Sequence, residues 1–163
     1  MITKENSMTL EEKLRRLKQQ AEEKSETNWA SYKKAWQDDI SKLQNTIVHK
    51  WFQHFEEEKL MVLEFVPTKR IEPYIGEYMT MILEINFPNG KSIILDPIAG
   101  ITSEYSGKLE LYLRGNVFKK VSILRKEIPE KDPEWIVAKS FDPADHFRLD
   151  KSQLEKIINE WIA

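Results

Sequence analysis

The sequence contains no cysteine, which excludes disulfide bridges and thiolate metal sites. It has only five glycines, and they are dispersed; a glycine-rich phosphate loop cannot be assembled from them. Histidine is scarce too, with three in the chain. His49 and His54 are five positions apart on a predicted helix, so they point to different faces and do not share a metal through i, i+4 spacing. No window approaches the roughly 18 consecutive apolar residues of a membrane-spanning helix, and the N-terminal stretch MITKENSMTLEEKLRRLKQQ has no apolar run, so no signal peptide is expected. Formal net charge is only −2, so bulk charge does not advertise nucleic acid or a membrane surface. These absences together predict a cytoplasmic protein with no membrane partner and no disulfide framework.

Catalytic signatures are missing as well. There is no G-x-S-x-G elbow, and Ser103 and Ser106 lie in a polar loop without a base in their sequence context. The one grouping of metal-compatible side chains is Asp142, Asp145, His146 and Asp150 in FDPADHFRLD. That stretch contains Pro143 and a helix cap, so it reads as a loop with capping acids. No catalytic residue, no metal site and no cofactor is expected, and the chain is read as a non-enzyme, the remaining alternative being a cleft site beside the sheet that uses the Asp145-His146 loop.

What is present is helical and β patterning in sequence. The chain has 163 residues, 40% hydrophobic and 32% charged, enough apolar material for one core and a solvated surface. Residues 1 to 8 read as a flexible tail. Thr9 and Glu12 form a capping box, and Leu10, Leu14, Leu17 and Ala21 follow at helical spacing. After a polar patch at residues 22 to 28, an aromatic stripe runs through Trp29, Tyr32, Trp36, Ile40, Leu43, Ile47, Trp51 and Phe55. Leu10, Ala21, Tyr32, Leu43 and His54 recur every eleven positions, a period that keeps nearly one helix face. One continuous helix and a helical hairpin broken near Ser25 to Asn28 both satisfy this pattern.

From Leu60 the period changes to two. LMVLEFV, EYMTMILEINF, KSIILDPI, KLELYL, the segment after Gly115 and EWIVAKSF read as strands, with Asn89-Gly90 as a hairpin turn. Met79, Met81, Leu83, Ile85 and Phe87 are predicted to share one face. For the hairpin after KLELYL, a three-residue loop at Arg114-Gly115-Asn116 puts Val117, Val121 and Ile123 on the leucine face and pairs Glu110 with Lys120. A last helix carries Leu154, Ile157, Ile158 and Trp161. The predicted fold is α+β: a long N-terminal helix, or helical hairpin, packed on a five- to six-stranded antiparallel meander and closed by a C-terminal helix. Residues 9 to 58 form the helical segment and 59 to 163 the sheet domain, with 40 to 58 part of that folding unit.

Length carries the functional expectation. Residues 9 to 57 as one helix span about 73 Å, whereas a domain of about 100 residues is roughly 35 Å across. The first half must fold back or project. The stripe there is narrow, close to a coiled-coil seam, so the expected function is protein interaction, with itself or another chain, anchored on Leu10, Leu14, Leu17, Trp29, Tyr32 and Trp36. An alternative is nucleic-acid binding through the hairpin 108 to 126, where Lys108, Arg114, Lys119, Lys120, Arg125 and Lys126 face one acid.

Overall fold

The computed structural model describes residues 9–26, 28–102 and 105–163, with backbone alone for 20–26. The expected tail, residues 1 to 8, lies outside the described residues. Helix α1, Leu10–Glu26, starts at its predicted cap, where the Glu12 N–H donates to Thr9 Oγ1 at 3.2 Å. The rod then breaks. Asn28 sits at φ 53°, ψ 45°, a left-handed conformation that asparagine tolerates better than most residues. Helix α2 resumes at Trp29–Asn45. A continuous helix over residues 9 to 58 is therefore overturned, and the break falls in the polar patch.

After α2 the chain winds as a π-helix over Thr46–Trp51, with the Phe52 N–H donating to the Ile47 carbonyl at 3.0 Å, and ends in the short α3, Gln53–Glu57. The extra residue in this turn explains the broad apolar arc: Ile47, Val48 and Phe52 are buried, and Trp51 and Phe55 are half-buried.

Seven strands follow as one antiparallel meander in the spatial order of the chain: β1 Val62–Glu72, β2 Gly76–Asn86, β3 Ser92–Ala99, β4 Lys108–Leu113, β5 Lys120–Lys126, β6 Glu134–Ala138 and β7 His146–Arg148. The expected count of five to six strands falls short by β7, three residues inside FDPADHFRLD, too few to show an alternation. Helix α4, Lys151–Trp161, closes the fold, with Asp150 accepting from the Gln153 N–H at 2.8 Å.

The helix that packs on the sheet is α2, not the N-terminal one. Trp36, Ile40 and Leu43 join Leu83, Ile85, Ile93, Leu95, Leu109, Leu111, Ile123 and Val137 of the sheet and Leu154, Ile157, Ile158 and Trp161 of α4 in one core. α2 also closes a strand edge. Backbone pairing between β2 and β3 covers only Leu83–Asn86 with Ser92–Leu95, which leaves the first half of β2 with unpaired carbonyls. Lys33, Gln37 and Gln44 donate to the carbonyls of Glu77, Met79 and Met81 at 3.4, 2.7 and 2.6 Å. Those carbonyls repeat every second residue along one edge, and a helix laid beside an edge is one way to blunt it. The cost falls on the predicted apolar face of β2. Leu83, Ile85 and Phe87 are buried, but Met79 and Met81 are exposed, and Tyr78 and Thr80 point inward in their place.

Beyond the same pairing limit, the free edge of β3 is met by side chains of β1. Arg70 Nε donates to the Pro97 carbonyl at 2.9 Å, and the Gly100 N–H donates to the Glu72 carboxylate at 3.0 Å. β1 itself is an outer strand. The Leu63 N–H donates sideways to Glu56 Oε2 at 2.9 Å, so odd-numbered positions turn their backbone outward. Pro67 is among them, and its missing N–H removes nothing from the ladder.

The β4–β5 hairpin keeps the predicted parity but not the predicted register. Leu111 pairs with Val121, Leu109 with Ile123 and Glu110 with Ser122, so the connection is a longer loop than three residues. Val121 and Ile123 are inward as expected, whereas Val117 is 84% exposed. Lys120 still approaches Glu110, with Nζ at 3.4 Å from Oε1.

Candidate interaction surfaces

The six residues predicted to anchor a partner are split between surface and core. Every residue from Thr9 to Gln19 is exposed. Leu10, Leu14 and Leu17 are 73%, 56% and 60% exposed, so the leucine stripe of α1 is laid open to solvent. Trp36 is fully buried and cannot serve as a docking contact in this fold. Trp29 and Tyr32 are half-buried against the core, with the Trp29 ring stacked on Tyr74 at 5.5 Å.

Trp36 and Tyr32 are instead the centre of a polar clasp. Trp36 Nε1 donates to the Tyr78 hydroxyl at 3.1 Å, and that hydroxyl donates to Glu72. The Tyr32 hydroxyl meets the Gly100 and Ser106 carbonyls at 2.5 and 3.0 Å. Arg125, almost wholly buried, donates through Nε and Nη2 to Asp39 Oδ2 at 2.9 and 2.6 Å and through Nη1 to the Ser106 carbonyl at 2.9 Å. Its guanidinium lies 5.8 Å from the Tyr32 ring centroid and 5.6 Å from that of Trp36. A Cβ at Gly107 would fall 2.3 Å from the Trp36 ring, and one at Gly100 would fall 2.7 Å from Ile75 Cδ1, so both positions need the bare backbone. Burial pushes the Tyr78 hydroxyl far above its ordinary range, and the Glu72 hydrogen bond adds to this. Burial likewise raises Tyr32, against the opposing charge of Arg125. Every group in the clasp has a partner, and it ties α2, β1, β2, β5 and the β3–β4 loop together. Sequence reading missed it because Asp39 and Arg125 are 86 positions apart, with no local signal at either end.

The predicted basic patch is dispersed. Arg125 is in the clasp. Arg114 pairs with Glu84. Lys108 and Lys120 approach the same Glu110 oxygen at 3.8 and 3.4 Å. Lys119 reaches back to the Trp161 carbonyl at 3.5 Å, and Lys126 is exposed. In the acidic loop, Asp142 accepts from the Ala144 N–H at 3.0 Å and Asp145 from the Ser140 hydroxyl at 2.6 Å. His146 Nε2 lies 3.0 Å from the Ser140 carbonyl. Among the described residues no group of three or more His, Asp or Glu is placed to hold a metal. No helix among them is long and apolar enough to cross a membrane.

Two hollows remain. One, of about 540 Å³, lies between α3, the β2–β3 turn and α4 and is lined largely by Phe52, Phe55, Leu60, Met61 and Ile158. The other, of about 390 Å³, lies on the face of β5 and β6 turned away from the helices, between the β3–β4 and β6–β7 loops. Compared with known proteins, the chain matches no family model, no curated protein and no solved structure.

Proposed function

We propose that the chain is a non-catalytic interaction module that pairs with a second copy of itself through α1, the two helices running antiparallel. The observation that carries this reading is the open leucine stripe, Leu10, Leu14 and Leu17, on a helix the sheet does not cover. A short isolated helix is marginal in water, and burial of its stripe is what a partner supplies. Fully burying a leucine is worth about 1.5–3 kcal/mol, and association costs about 4–15 kcal/mol, so a weak, reversible dimer is expected.

The direction comes from the charges beside the seam. Leu10, Leu14, Leu17 and Ala21 alternate in steps of four, three and four, the d and a positions of two heptads. Glu11 and Lys18 then take e positions and Lys13 and Gln20 take g positions. A parallel pair sets Lys13 against Lys18 of the second copy. An antiparallel pair centred between Leu14 and Leu17 sets Glu11, which also meets Arg15 of its own helix at 2.8 Å, against Lys18 twice. Trp29, Tyr32 and Trp36 serve this function as the root from which α1 leaves the domain.

The test is a charge reversal with opposite signs for the two directions. Lys18→Glu creates two Glu–Glu contacts in an antiparallel pair and weakens the dimer by roughly five- to tenfold. The double change Glu11→Lys, Lys18→Glu restores it. A dimer strengthened by Lys18→Glu has parallel helices. A chain that is monomeric throughout sedimentation at several hundred micromolar has another function for α1. Nucleic-acid binding spread over the whole hairpin 108 to 126 has less support, because Arg125 is buried and Arg114 is engaged by Glu84.

A further inference from the structure

We propose that the hollow on the outer face of β5 and β6 is a binding site for a nucleotide unit, a planar base joined to a phosphate. This inference is independent of α1 and of self-association. The volume, about 390 Å³, is within the range of about 300–1,000 Å³ usual for small-ligand sites. Leu124 and Ala138 give it an apolar floor, together with Ser122. Lys108 of β4, Lys120 of β5 and Lys139 after β6 stand around that floor, and none of its described lining residues is Asp or Glu.

The nearest carboxylates answer the lysines only in part. Glu110 is 3.8 Å from Lys108 and 3.4 Å from Lys120, longer than the roughly 2.7–2.9 Å of a strong charge-assisted hydrogen bond. Asp145 is taken by the Ser140 hydroxyl, and Lys139 Nζ lies 5.3 Å from the Phe147 ring centroid. Among the described residues, three cations against one shared carboxylate leave a positive rim, suited to a phosphate dianion. Ser122 and Tyr105 line the same hollow, and their hydroxyls make no hydrogen bond among the described residues.

The ring half of the ligand is read from the mouth. Phe141 is completely exposed, at 104%, on a loop that lines the site beside Tyr105 and His146. An aromatic side chain without cover, next to an apolar floor and a cationic rim, is the pairing used to stack a base and hold its phosphate. A purely acidic peptide satisfies the lysines and leaves the floor and Phe141 unused. The unit can come from a free nucleotide or from a single strand, and the chemistry of the site is the same for both.

The experiment titrates the full chain at low salt, by amide chemical shifts, with adenosine 5′-monophosphate, adenosine, inorganic phosphate and an adenylate ten-mer. The monophosphate is expected to shift residues of the hollow and to bind roughly tenfold tighter than adenosine or phosphate alone. Lys108→Ala with Lys120→Ala weakens it by roughly tenfold, and Phe141→Ala by several-fold. All three side chains are at the surface, so the variants are expected to keep the wild-type spectrum elsewhere. A ten-mer that binds much more tightly than the monophosphate assigns the source to a strand, and equal affinities assign it to a free nucleotide. No binding of either at about 5 mM, or binding indifferent to the lysine and Phe141 changes, overturns the proposal.

Discussion

Helices α1 and α2 are 17 residues each and separated by two, yet one is solvent-exposed through its first ten residues and the other is the backbone of the core. The difference is in what their apolar stripes are made of and what flanks them. The α1 stripe is three leucines set among Glu11, Glu12, Lys13, Arg15, Arg16 and Lys18, a seam too narrow to cover a sheet. The α2 stripe is Trp36, Ile40 and Leu43, flanked by polar side chains with partners in the sheet: Gln37 and Gln44 donate to carbonyls of the β2 edge, and Asp39 accepts from the Arg125 guanidinium. Helical spacing is common to both. Commitment to the domain comes from the width of the stripe and from polar neighbours with a backbone or a buried charge to satisfy.

The comparison can be broken most forcefully at Trp36. Trp36→Ala is expected to cost about 3–5 kcal/mol, measured by denaturant unfolding, because it empties the space between Gly100 and Gly107 and removes the indole N–H that donates to the Tyr78 hydroxyl. Next is Arg125→Met, which leaves the half-buried Asp39 without its cation; a loss of about 3–5 kcal/mol is expected at most, and the double change with Asp39→Leu should recover part of it. A smaller effect is confined to alkaline pH. Tyr78 titrates near 10 when unfolded and higher in the fold, so its contribution is complete below pH 10 and is lost as pH rises above that value. Stability should fall there by about 1.4 kcal/mol per pH unit for each such tyrosine, and Tyr78→Phe should flatten the slope by one proton. The smallest effect belongs to α1. Leu14→Ser with Leu17→Ser is expected to leave the unfolding midpoint of the monomer within about 0.5 kcal/mol, while the association is lost.

Local signals were legible and distant ones were not. The cap at Thr9 and the change of period from Leu60 are written in adjacent residues. The β4–β5 hairpin shows where pattern stops. Alternation decides which face a residue takes, and a shift of two positions preserves every face. The leucine face therefore predicts Val121 and Ile123 correctly, while the absolute register is decided by a loop that leaves Val117 and Phe118 outside. The inward predictions for Met79 and Met81 fail for a different reason. β2 loses its β3 partner halfway along, and α2 takes the edge instead, a choice made by residues more than thirty positions upstream. The eleven-residue period suggested one rod, but one residue in a left-handed conformation, Asn28, is enough to end a helix without altering the pattern on either side. Exposure divides the predicted anchors: Leu10, Leu14 and Leu17 are open, whereas Trp36, from the same stripe, is the most enclosed aromatic of the fold along with Phe52.

The central claim is that α1 is a docking element and the fold begins at α2. It is tested most directly by light scattering after size exclusion, over a hundredfold range of concentration, on the full chain and on a chain beginning at residue 27. The account predicts that the mass of the full chain climbs from one copy toward two, and that the shortened chain stays at one copy while unfolding at the same temperature. A full chain that remains monomeric across the range, or a shortened chain that no longer folds, contradicts it.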